Sequence, residues 1–313
     1  MGDPLDLLIC VTCGVQYSET LESQRKACPV CDDPRQYVAA AGQSWTTLRG
    51  MRESGKYQNK FTPIQDRSLA SSNSDKRQLI SIQTVPQVAI GQRALLCVSP
   101  QGNVLWDCIT YLDAQTVDTV KSYGPLDAIV ISHPHYFSTC LQWAEAFGCP
   151  VYLSAEDEQW IMRRSEDVNK MVLWPGQRKA FCSRKNDDDA VEFVCVKTGG
   201  HFPGSSVLYW PATRKLLVAD TIYVVPSGVY HVNRPEGTTS FSFMWSYPNM
   251  IPLPPDEIQN IWHAIKDLDF EDTHSAFWGR DTYGRSKERV LESAKIVVKS
   301  MGHALHAIHD ETV

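Results

Sequence analysis

Nowhere in the chain does an apolar run approach the roughly 18 residues that a bilayer-crossing helix needs, so no membrane partner is expected. The opening stretch, Met1-Gly-Asp-Pro-Leu-Asp6, lacks the basic residues and apolar core of a secretion signal. It also has Asp6 where a myristoylation motif carries Ser or Thr. Positive charge is not in excess: 30 Lys and Arg stand against 36 Asp and Glu, a formal net charge of −6. That balance gives no support to a nucleic-acid or acidic-membrane partner. Internal repeats are absent as well. What is present is the composition of a globular chain, 43% hydrophobic and 21% charged over 313 residues, long enough for one large domain and a small module.

The ten cysteines divide unevenly. Cys10-Val-Thr-Cys13-Gly and Cys28-Pro-Val-Cys31 are two close pairs separated by fourteen residues. Four thiolates so spaced suit a tetrahedral metal, and a structural zinc is the expectation, with rubredoxin-like iron the chemical alternative. A segment of this size, residues 1–45, cannot bury much apolar surface, so the metal would supply its folding energy. A closed set of four thiolates leaves no open position, so this metal is not expected to be catalytic. Residues 46–78 are polar and poor in aliphatics and read as a linker or extended arm, with Tyr57, Phe61 and Pro63 available to pin it down. The other six cysteines are scattered in apolar surroundings, which fits reduced core thiols and a cytoplasmic location.

From Leu79 the pattern becomes strand-like, with Ile80, Ile82 and Thr84 alternating with polar neighbours. Val88-Ala-Ile90, Ala94 to Val98 and Val104 to Trp106 are further strand candidates, the last ending at Asp107. A helix is expected over Thr116–Ser122. A continuous apolar strand then ends at Ile129-Val-Ile-Ser-His133-Pro-His135-Tyr-Phe-Ser138, and strand ends of this kind are where sheet proteins place chemistry. Helices are expected over Cys140–Phe147, Ala155–Arg164 and Asp256–Asp267, and a loop or lid over Lys170–Gly176. Asn186–Asp189 reads as a solvated turn. His201 sits at the apex of a glycine loop, Gly199-Gly-His-Phe-Pro-Gly204, and Asp220 ends the apolar stretch Leu216–Ala219. The chain closes on an amphipathic stripe, Val290, Ala294, Val297, Val298, Met301, Leu305 and Ile308. His231, His263, His303, His306 and His309 have no motif around them, and the last three are expected on the surface of that final helix.

Taken in order, these stretches resemble the metallo-β-lactamase-fold hydrolases over about residues 79–313. Val104-Leu-Trp-Asp107 resembles the family's strand ending in a supporting aspartate, and His133-Pro-His135 resembles the opening of its HxHxDH signature. Gly200-His-Phe-Pro-Gly-Ser205 is close to the GHTPGS loop, Val218-Ala-Asp220-Thr resembles the GDT strand, and His274 falls where the last ligand belongs. The resemblance implies an α/β sandwich, the four-layer αβ/βα arrangement, with a metal site along one edge. The N-terminal segment resembles a rubredoxin-like zinc ribbon. The ligands implied are His133, His135 and His201 for a first metal, with Asp220 and His274 left over from a second.

The signature is incomplete. Where HxHxDH has Asp and His, this chain has Phe137 and Ser138; phenylalanine cannot coordinate, and serine is a poor zinc ligand. One catalytic zinc is therefore expected beside the structural one. Asp220 is the remaining carboxylate able to serve as base or ligand, and Tyr223 a proton donor, with Tyr136 in reserve. The expected activity is hydrolysis of a small-molecule ester, lactone, lactam or thioester, with zinc lowering the pKa of a water. Trp174, Tyr223, Tyr230, Trp245 and Trp278 suggest an apolar or aromatic substrate. The alternative is a catalytically degenerate binding or docking protein. Nothing in the sequence sets the oligomeric state.

Overall fold

The structure is a computed structural model that describes residues 3–65, 76–183, 191–230 and 234–313. Asn186–Asp189 and His231 lie outside them. The described residues up to Pro175 form one compact unit, and Gly176–Val313 form another.

The first unit begins with the cysteine module. Its β1 (Leu7–Cys10) is flanked antiparallel by β2 (Gln16–Thr20) and β3 (Trp45–Thr47), in the order β2-β1-β3. All four β1 side chains are buried, and the Tyr17 and Trp45 rings meet edge-on at 5.2 Å, which supplies most of what core so short a sheet can have. Thr47 caps the following α1 (Leu48–Glu53), accepting the Gly50 N–H at 3.1 Å.

Of the stretch expected to form a linker, 46–78, residues 66–75 lie outside the described ones, and the rest carries most of β3, α1 and an edge strand. β4 (Gln58–Ile64) pairs antiparallel with β5 (Gln78–Val85) over seven register positions, from Gln58 opposite Val85 to Ile64 opposite Leu79. The stretch is polar and poor in aliphatics like an arm, yet polar residues and Pro63 are tolerated on an edge strand, which is half solvated. The seven-stranded sheet continues with β6 (Arg93–Val98), β7 (Asn103–Trp106), β8 (Leu126–Val130), β9 (Val151–Ser154) and β10 (Met171–Trp174). β4 to β7 run antiparallel to one another, whereas β7 to β10 are parallel. Parallel neighbours need crossovers, supplied by α2 (Ala114–Ser122) and α3 (Cys140–Phe147) as expected.

Three local expectations give way in this unit. Val88–Ile90 is a turn closed by the Gly91 N–H on Val88 O at 3.0 Å. Met171–Trp174, expected as a loop, is the edge strand β10; Pro175 and Gly176 punctuate its end rather than its middle. The helix expected over 155–164 is a 3-10 turn, Ala155–Trp160, after which Ile161 is extended. Trp160 there turns to the cysteine module, its indole N–H donating to Asp33 at 3.3 Å.

The second unit is a six-stranded sheet. An antiparallel run of β11 (Arg178–Ser183), β12 (Val191–Lys197), β13 (Ser206–Trp210) and β14 (Lys215–Leu217) is followed by the strand Asp272–His274, parallel to β14, and the short strand Asp281–Thr282. Two helices pack on it. α4 (Pro255–Ile265) buries Ile258, Ile261, Trp262 and Ile265, the one-face spacing of an amphipathic helix. α5 (Ser286–Ser300) adds Val290, Leu291, Ala294 and Val298 to the same core as Val196, Val207 and Leu216. The expected helix ran on to Ile308, but Gly302 takes φ +94 and ends it. Beyond it Leu305 is fully exposed, while Ile308 returns to the core from a 3-10 turn, Ala307–Asp310. His303 and His306 therefore lie past the helix, and His309 lies in that turn. No helix among the described residues is long and apolar enough to cross a membrane.

Candidate metal centres

The cysteine module brings its four sulfurs together. Cys10 Sγ lies 3.5 Å from Cys31 Sγ, and Cys13 Sγ lies 3.7 Å from Cys28 Sγ. A disulfide would need about 2.05 Å. Four thiolates at about 2.3 Å from one tetrahedral ion sit about 3.8 Å apart, so the spacing fits a metal and not two bridges. Each knuckle is a turn: the Gly14 N–H donates to Cys10 O at 2.8 Å, with Gly14 at φ +80, and the Cys31 N–H to Cys28 O at 2.9 Å. The sulfurs also receive side-chain donors, Tyr17 Oη at 2.9 Å from Cys28 and Gln43 Nε2 at 3.0 Å from Cys10. Burial pushes the Tyr17 phenol well up from its ordinary value, so it stays protonated and donates to sulfur.

The second group is His133, His135, His201 and Asp220, all buried, whose donor atoms lie within 4.8 Å of one another. His133 and His135 leave the carboxyl end of β8, the end of parallel strands at which α/β sheets place their ligands. Their loop is held from beneath: Asp107, at the end of β7 with φ +63, accepts the Ser132 N–H at 2.8 Å. Ser132 Oγ in turn lies 2.9 Å from His133 Nδ1, leaving Nε2 as the nitrogen for a metal. Asp107 thus holds the start of the loop through its backbone.

His201 rides the β12–β13 loop, where Thr198 and Gly199 both donate backbone N–H to Ser205 O, at 2.8 and 3.0 Å. Gly200 has φ +86, which favours glycine, and a Cβ there would stand 3.0 Å from Leu253 Cδ1 and Ile261 Cδ1, so both methyls would have to give way. His201 Nδ1 lies 3.0 Å from Met244 O, so a proton on Nδ1 fixes the ring and makes Nε2 the nitrogen with a lone pair for a metal. That Nε2 is 4.0 Å from Asp220 Oδ2, too long for a hydrogen bond and consistent with two ligands sharing an ion.

His274 ends the strand beside β14, in register with Leu217, but is not one of the four clustered donors. It is fully buried with Nδ1 3.2 Å from Asp281 Oδ1, and its Nε2 has no hydrogen-bond partner among the described residues. Tyr223, half-buried, stacks at 4.7 Å on Tyr247. Burial raises its phenol pKa, opposed by the Arg280 charge and aided by that of Asp220, so it remains a proton-bearing donor.

Tyr247 and Met244 are the residues sequence reasoning missed. Tyr247 Oη donates to Asp220 O at 2.5 Å, and its ring lies 5.7 Å from that of His201. Both belong to Ser242–Tyr247, a stretch with no motif, and Met244 acts through its carbonyl, which any residue carries. Of the aromatics expected at a mouth, Trp174 is buried in β10 and Trp245 packs on the core, whereas Tyr230 and Trp278 are exposed.

The fold class and the two clusters define a metallo-β-lactamase-fold protein with an N-terminal four-cysteine module and a His/Asp group that could bind metal. Among solved structures the chain is similar to the peroxy diiron species of the chemotaxis sensor ODP, with TM-score 0.51 and 14% identity over 77% of this chain and 99% of that one. It is also similar to the DIM-1 metallo-β-lactamase exposed to ceftazidime, with TM-score 0.49 and 11% identity over 77% and 98%. No family model matches. By sequence it is 36% identical over 301 residues to the uncharacterized protein YmaE of Bacillus subtilis, covering 95% of this chain and 97% of that one. The chain belongs to the family of YmaE.

Proposed function

We propose that the protein is a zinc-dependent hydrolase of a small-molecule ester, lactone, lactam or thioester. The observation that carries the reading is the convergence of three imidazoles and a carboxylate, with Met244 O holding Nδ1 of His201 and Ser132 Oγ beside Nδ1 of His133. When bound, zinc supplies a Lewis acid and lowers the pKa of a water to near neutrality. The chain's own residues do the rest. His133, His135 and His201 hold position through their second nitrogens or their loops, which limits reorganisation during reaction. Asp220 offers the carboxylate that orients or deprotonates the attacking water, and Tyr247 fixes the backbone at that residue. Tyr223, which burial keeps protonated, would serve as the donor to a leaving group.

Phe137 and Ser138 favour one catalytic zinc over two, and the four cysteines would hold a second, structural zinc. A cytoplasmic location and an apolar or aromatic substrate complete the reading. The test is a panel of aryl esters, thioesters, lactones and β-lactams assayed with metal-free and zinc-loaded protein. Zinc-dependent turnover of one class, lost in His201→Ala, supports it; a silent panel with zinc bound opposes it. The same two residues motivate a second reading, a catalytically degenerate binding or docking protein; the structurally similar ODP is a chemotaxis sensor. Tight metal binding without turnover favours that one.

A further inference from the structure

We propose that the cysteine module is a positioning device for the loop that carries His133 and His135, so that loss of the module's metal loosens that loop. The two departures of this chain from its fold family, an added module and an incomplete signature, meet at one place. Ser138 stands at the last position of the signature, in the left-handed region at φ +43, which serine adopts only under support. The support comes from the module: the Gln16 N–H, three residues after Cys13, donates to Ser138 O at 3.0 Å. Ser138 Oγ donates to Cys108 O at 3.2 Å. A second tie runs through Thr110, whose hydroxyl donates to Gly14 O in the knuckle at 3.2 Å while its carbonyl accepts the Thr139 hydroxyl at 2.9 Å. A third is Arg163, which donates to Gln16 Oε1 from the chain after β9.

Phe137 belongs to the same contact. Val15, Gln16, Phe137, Ser138 and Leu141 line a space of only about 10 Å³, at the lower limit for one water. The positions that would ligate a second metal in the intact signature here form a packed docking face for β2. Because the module is too small to stay folded without its metal, those ties exist only while the thiolates are loaded. The module's metal state and the order of the histidine loop are therefore linked.

The affinity arm of the test rests on the function proposed above; the exchange arm does not. Amide hydrogen exchange over residues 131–142, and zinc affinity of the histidine group, are measured on the full chain for wild type, Cys13→Ser and Arg163→Ala. Cys13→Ser is expected to speed exchange in the loop at least about tenfold and weaken zinc binding by the histidines about tenfold, as loss of a ligand-orienting partner does. Strands β5 and β6 should keep their protection. Arg163→Ala keeps all four thiolates and should give a change in the same direction, a few-fold in size, with the module's metal retained. It decides the matter should Cys13→Ser unfold the whole chain. A Cys13→Ser protein that loses the module's metal yet keeps loop protection overturns the proposal, as does Arg163→Ala with unchanged exchange. Should the wild-type histidines bind no zinc, the hydrolase reading fails while the exchange result still stands or falls alone.

Discussion

The two clusters assemble their donors in opposite ways. The cysteines all come from Cys10 to Cys31, on one small sheet and two turns, and they form a closed set. The histidine group draws on residues from His133 to Asp220: two from the loop after β8, one from the β12–β13 loop and one from the chain just after β14. A local, closed, all-sulfur set is suited to folding the chain around it. A dispersed set of imidazoles and a carboxylate requires a finished fold first, and its rings are oriented by neighbours rather than by the ion. Metal removal should therefore unfold the one and merely empty the other.

The largest expected effect is on the module. Structural zinc in small modules contributes on the order of 10 kcal/mol, so Cys28→Ser should unfold residues up to about 47 while the two large sheets persist. Limited proteolysis and far-ultraviolet circular dichroism check this; a protease-resistant N-terminus in the variant breaks the contrast. Next comes His201→Ala, which should reduce turnover by about a thousandfold, some 4 kcal/mol in barrier. Melting of the metal-free protein should barely change, since the imidazole adds little to the apolar core. A large stability loss would make His201 a core residue.

Gly200→Ala sharpens the contrast from the backbone side. At φ +86 and with two δ-methyl groups 3.0 Å from the new carbon, it should cost about 1–3 kcal/mol and displace His201, lowering turnover without touching the cysteines' metal. The smallest effect lies far from both clusters. A hydrogen bond from His263 holds the Glu311 carboxyl down to about 2, below its ordinary 4.5. A depressed folded value means that the contribution is present above 4.5 and is lost as pH falls toward 2. Glu311→Gln should remove that part of the acid sensitivity, less than about 1 kcal/mol for an ion pair this near solvent, and leave both metals in place. Melting curves at pH 3 and pH 7 would show it.

Much of this was legible in the sequence because the informative residues are chemically specialised. The paired CxxC spacing, the His-Pro-His at a strand end and the glycine loop around His201 each state a geometry. What escaped was carried by backbone or by distance. Met244 contributes a carbonyl, Tyr247 reaches Asp220 from 27 residues away, and β4 pairs across a polar edge that resembles a tether. The terminal stripe kept its helical period through Ile308, and only Gly302 shows where the helix stops. Phe137 read as a missing ligand; its packing beside Val15 and Gln16 was invisible because contact between the module and the loop leaves no pattern in either stretch.

Metal content per chain shows whether the histidine group holds a metal of its own. Wild type and His133→Ala/His135→Ala should be purified side by side and measured by elemental analysis. About two metal ions are expected in the wild type and about one in the variant, with the cysteine module folded in both. A wild-type value near one, unchanged in the variant, would contradict it.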